Sequence, residues 1–85
     1  MEKAKFIYQI ESEKHFTCLT RIVNTFSRRR IHIVEIHSYM REGEDRQRLT
    51  ISIFETKDSA VKISKKLEME IDILSINLFE YANHN

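Results

Sequence analysis

The stretch IHIVEIHSYMREGEDRQRLTISIFE, residues 31–55, decides the fold. Two runs rich in β-branched and aliphatic residues flank the polar break REGED, which holds Gly43, the only glycine of the chain. In the second run Leu49, Ile51 and Ile53 alternate with Thr50, Ser52 and Phe54, the period of a strand with one buried face. In the first run Ile31 and Ile33 lie on one parity while Val34, Ile36 and Met40 lie on the other. A kink or bulge near residue 33 reconciles them. So short a break between two such runs makes an antiparallel hairpin.

Working toward the N-terminus, the segment AKFIYQIES, residues 4–12, repeats Phe6, Tyr8 and Ile10 at every second position, which predicts a further strand. Ile7 breaks that alternation and implies that the second face is partly covered. Phe16, Leu19, Ile22, Val23 and Phe26 share one stripe at helical spacing, with Arg21 and Arg28 away from it. Toward the C-terminus, Asp58 is the expected cap of a second helix that turns Ala60, Ile63 and Leu67 inward and Lys62, Lys65 and Lys66 outward. The last strand is IDILSINLFEY, residues 71–81, with a change of parity between Ile73 and Ile76.

The order is therefore βαββαβ. Right-handed crossovers fold it into an α+β, ferredoxin-like sandwich, a four-stranded antiparallel sheet with two helices on one face, over a single domain spanning residues 1–85. Its usual strand order leaves the second and fourth strands at the margins. Val34, Ile36 and Met40 then lie on an edge with no proline and little charge beyond Glu35. Such an edge is normally covered or paired, and pairing it with a second copy predicts a homodimer.

Composition narrows the function. With 85 residues there is little room for an active site, and a formal net charge of +1 argues against a strongly basic nucleic-acid binder. One cysteine, Cys18, excludes an internal disulfide and a cysteine-based zinc site and fits a reducing compartment. No apolar run reaches the roughly 20 residues of a membrane span, and MEKAKF leads directly into strand-like sequence. The expectation is a soluble, unprocessed, cytoplasmic protein.

Chemical candidates are few. His15, His32, His37 and His84 show no metal-ligand spacing with one another or with carboxylates; a shared site of His15, Cys18 and His32 is the one arrangement to weigh against exposed loop histidines. Cys18 near a helix start is a candidate nucleophile on electrostatic grounds and a small packing residue otherwise. No catalytic residue and no metal site are expected. Arg28, Arg29 and Arg30 fall at the end of the first helix, where cations suit unsatisfied carbonyls and the negative end of the helix dipole. The alternative is contact with an acidic patch on a protein partner, because arginine is favoured in interfaces. The same element order also serves RNA-recognition modules, which stack bases on strand aromatics; here Tyr8 and Phe54 are the available rings and the paired-aromatic signature is missing.

Several segments carry a family resemblance. LTRIVNTFSRRRIHIVEI, residues 19–36, resembles LSRVxGLFSxRGxNIxSL in the ACT domains of the small, regulatory subunit of acetohydroxyacid synthase, also called acetolactate synthase. RLTISI, residues 48–53, and KKLEMEIDILSI, residues 65–76, are similar to two further family segments. The correspondences include Arg21, Phe26, Ser27, Arg29 and Asp72, and the likeness runs from about residue 6 to residue 79. The resemblance implies an ACT domain of the short, single-domain type. It also implies a noncatalytic partner that activates a large catalytic subunit in branched-chain amino-acid biosynthesis, dimerises edge to edge, and is open to a branched-chain amino-acid effector. The thiamine diphosphate, divalent metal and FAD of that enzyme belong to the large subunit, and no cofactor is expected here.

Departures from the family pattern fall at the effector site. Where many relatives read ENxPGxL or ENESGAL, this chain reads EKHFTCL, with Lys14 in place of the asparagine and Thr17 in place of the glycine. A glycine there lets a ligand carboxylate approach the helix-start amides. His32 replaces a second family asparagine, and Arg30 the glycine before it. The candidate effector positions are His15, Phe16, Thr17 and Cys18, with His32 and Ile33 from a second protomer. These changes leave valine feedback unsupported and subunit activation as the expectation. Two other functions remain open at this point: a free-standing ACT-type amino-acid sensor acting on another partner, and an RNA-binding module.

Overall fold

The computed structural model describes residues 2–13 and 17–81. It contains β1 (Lys3–Glu13), α1 (Cys18–Arg28), β2 (Ile33–Met40), β3 (Arg46–Thr56), α2 (Lys57–Glu68) and β4 (Ile73–Glu80). The strands form one antiparallel sheet in the order β2-β3-β1-β4, so β2 and β4 are its margins. This is the expected ferredoxin-like βαββαβ arrangement.

Alternation in the central strands builds the core. Phe6, Tyr8 and Ile10 of β1 lie opposite Ile53, Ile51 and Leu49 of β3, and all six are buried against the helices. α1 contributes Cys18, Ile22 and Phe26, and α2 contributes Ala60, Ile63 and Leu67, each set recurring at helical spacing. Tyr8 is the polar member of this cluster. Its hydroxyl donates to the Ala60 carbonyl at 2.6 Å, and its ring meets Phe26 edge to face at 5.3 Å. Burial pushes its phenol well above the ordinary tyrosine pKa, because the phenolate has no water there.

Both anticipated parity changes are breaks in strand register. Ile33 pairs with Ile53 but Glu35 pairs with Ser52, so Val34 is the extra residue of a bulge in β2. Ile10 pairs with Ile76 but Ser12 pairs with Ile73, which places the second irregularity at Leu74. The β2–β3 connection is a turn closed by the Glu44 N–H to the Arg41 carbonyl at 3.1 Å. Gly43 sits in it at φ +84°, the sign a type II turn demands at its third residue.

One boundary differs from expectation. Thr56, not Asp58, caps α2: its hydroxyl accepts from the Ser59 N–H at 3.3 Å while its backbone is extended. Asp58 lies in the first turn and pairs with Lys62 at 3.1 Å. The helix starts directly at the end of β3, so the last residue of the strand serves as the cap.

Candidate functional site

The start of α1 holds two of the proposed effector positions within the described residues. Thr17 is exposed, with φ −92° and ψ −8°, and its side chain makes no capping hydrogen bond. The first-turn amides therefore have no hydroxyl acceptor from this residue. Cys18 is 2% exposed and packs in the core, which removes it as an accessible nucleophile or solvent-facing ligand. His15 and Phe16 lie outside the described residues.

His32 is exposed and Ile33 half-buried, at the entry to β2 beyond the far end of α1. An 11-residue helix rises about 16 Å, so Cys18 and His32 of one chain are too far apart to share a metal. Among the described residues no group of three histidines, cysteines or carboxylates could hold a metal ion. The helix-start positions and His32 can meet only if a second copy brings its β2 alongside.

β2 is the strand that can do so. One side pairs with β3, and among the described residues the other has no strand beside it. Val34 is 56% exposed, Ile36 41% and Met40 52%, an apolar content that a solvated margin does not need. Ile36 and Met40 point to the helix side, opposite Ile51 and Gln47, and Val34 stands in the bulge. On the other face Glu35 lies 3.2 Å from His37 and 3.9 Å from Lys5.

The arginines occupy three different backbone states. Only Arg28 belongs to the last turn of α1, Arg29 is the C-cap, and Arg30 follows it in the left-handed region at φ 57°. Arg30 N–H donates to the Ser27 carbonyl at 3.0 Å and Ile31 N–H to the Phe26 carbonyl at 3.0 Å. This is a Schellman closure, and the burial of Ile31 beside Phe26 supplies its usual apolar contact. Backbone amides therefore satisfy the Phe26 and Ser27 carbonyls, so the guanidinium groups are not needed for those two. What remains of the helix-end reading is the interaction with the dipole.

Sequence reasoning did not anticipate where Arg21 goes. It pairs with Asp72 in the turn between α2 and β4, tying the first half of α1 to a segment 51 residues away. It also missed a shallow depression of about 410 Å³ on the open sheet face, lined by Gln9, His37, Tyr39, Arg48, Thr50 and Asn77. The visible signal was the alternate, polar parity of the strands. The RNA reading loses one of its two rings, because Tyr8 is buried on the helix side while Phe54 stands 55% exposed on the other.

No family model matches the sequence, and a search of curated proteins returns no match. Solved structures do match. The uncharacterized protein TM1266 from Thermotoga maritima superposes with a TM-score of 0.80 at 15% identity over 95% of this chain and 100% of that one. The ACT domain from GTP pyrophosphokinase of Chlorobium tepidum does so with a TM-score of 0.78 at 14% identity, over 91% and 99%. The chain has the ACT-domain fold. The acetolactate synthase small subunit from Thermotoga maritima shares that fold with a TM-score of 0.77 at 16% identity, over 87% of this chain and 46% of that one. Among the described residues of this ACT-fold chain, no helix is long and apolar enough to cross a membrane.

Proposed function

We propose that this chain is a regulatory, noncatalytic subunit of an acetohydroxyacid synthase, which binds the large catalytic subunit and shifts it toward its active arrangement. The observation that carries the reading is the Arg21–Asp72 pair. Both residues were singled out by the resemblance to the synthase subunit, in segments distant along the chain, and the fold joins them. The ACT-domain fold, shared with a solved acetolactate synthase small subunit, supports the same reading.

In this account two copies pair through β2, with Val34, Ile36 and Met40 covered at the junction. Thr17 and the backbone amide of Cys18 of one copy then approach His32 and Ile33 of the other; His15 and Phe16, the other two effector positions, lie outside the described residues. That composite cleft is where a branched-chain amino acid would dock its carboxylate on helix-start amides. Thr17 has a branched side chain where relatives carry glycine, so valine feedback is weak or lost while activation is kept. Arg28, Arg29 and Arg30 face the catalytic subunit, and the thiamine diphosphate, metal and FAD reside in that partner. Affinity purification of the tagged chain from its native cell tests the assignment. Recovery of a thiamine-diphosphate-dependent synthase chain supports it, and recovery of the chain with no such enzyme counts against it.

A further inference from the structure

A second concavity lies between the helices, about 280 Å³ in volume and lined by Thr25 and Arg28 of α1, Arg29 at its C-cap and Lys66 of α2. Its charged groups are all cationic. None of Arg28, Arg29 and Lys66 is in an ion pair among the described residues, although Arg21, Arg41, Arg46, Lys3, Lys5 and Lys62 all have carboxylate partners. The Phe26 and Ser27 carbonyls at the end of α1 are already taken by backbone amides. Three exposed cationic residues thus line one hollow with no carboxylate among its lining residues, an arrangement that raises the local potential and that a bound anion would relieve.

We propose that this inter-helix hollow binds a phosphate-bearing small molecule. Two guanidinium groups can grip phosphate oxygens through paired N–H donors, and Lys66 adds a compact ammonium; the Thr25 hydroxyl donates to the Arg21 carbonyl at 3.0 Å and only shapes the rim. The volume exceeds that of a single phosphate group and accommodates a second phosphate or a small organic body. Arg28 and Arg29 are also the cations assigned above to the catalytic partner, so ligand and partner exclude each other. That consequence rests on the synthase reading; the binding itself does not.

The test uses the isolated chain, titrated with inorganic phosphate and with pyrophosphate at constant ionic strength and followed by calorimetry, with sodium chloride and succinate as comparison anions. Saturable binding of pyrophosphate, weaker binding of phosphate and no heat from chloride are expected. Arg28→Gln and Lys66→Gln should each weaken pyrophosphate binding about tenfold or more, the loss expected for one charge-assisted hydrogen bond. Lys62→Gln, on the same helix but outside the hollow, should leave it unchanged. Equal responses to chloride and pyrophosphate, or undiminished binding in both hollow variants, would overturn the proposal. If succinate bound as tightly as pyrophosphate, the preference for phosphate would be wrong. Failure of the synthase assignment would leave these titrations unaffected.

Discussion

Arg30→Gly exchanges a side chain in the left-handed region, at φ 57°, for the one residue with no steric objection to it. The left-handed conformation costs an L-residue about 1–2 kcal/mol. Glycine returns part of this through the greater freedom of the unfolded chain, about 0.4–1 kcal/mol. Arg30 is exposed and makes no ion pair among the described residues; losing its charge removes repulsion from Arg28 and Arg29 and attraction to the helix dipole, two opposed effects that the alanine comparator shares. The net expectation is stabilisation by about 0.5–1 kcal/mol, or a rise in Tm of about 2–8 °C for a domain of this size. The assay is thermal denaturation followed by circular dichroism at fixed protein concentration, since the proposed pairing through β2 would make the midpoint concentration-dependent. Arg30→Ala is the comparator: it removes the same charge but keeps the strained backbone, and should move the midpoint little. A glycine variant no more stable than the parent, or an alanine variant stabilised equally, would refute the backbone argument.

Other predictions follow from single contacts. The raised pKa of Tyr8 makes its own contribution to stability constant below about pH 10, where the phenol is protonated in both states; above it only the unfolded chain releases that proton, so the contribution falls by about 1.4 kcal/mol per pH unit. Tyr8→Phe should abolish that part of the alkaline slope in urea denaturation, at a loss of about 0.5–1.5 kcal/mol near neutrality from the hydrogen bond to Ala60. Asp72→Asn should cost up to about 1 kcal/mol in urea denaturation, because its partner Arg21 is 45% exposed and the pair is partly screened. Ile36→Lys should convert a dimer to a monomer in sedimentation equilibrium while leaving the circular dichroism of the fold intact; persistence of the dimer would remove β2 as its junction.

Much of the fold was legible because strand alternation and helical spacing are direct consequences of which face is buried. The parity slips at Val34 and Leu74 were visible for the same reason: an extra residue inverts every side chain after it. The cap of α2 was misplaced because Thr56 and Asp58 are both good caps, and no loop separates β3 from the helix to choose between them. Tyr8 belonged by parity to the core, so the inward pattern of its own strand argued against its use as a stacking platform. At the candidate site, the apolar edge of β2 could be read from residue types alone. The three backbone states of the arginines could not, since a run of like side chains has no period. Nor could the approach of Lys66 to Arg28 and Arg29, which depends on how two helices cross.

The most direct measurement of the central claim is the rate of acetolactate formation by the purified catalytic subunit from the same genome, titrated with this chain. The account predicts an increase that saturates at a fixed stoichiometry, accompanied by a larger species on size-exclusion chromatography. A catalytic subunit whose rate and elution are both unchanged by a folded excess of the chain would contradict it.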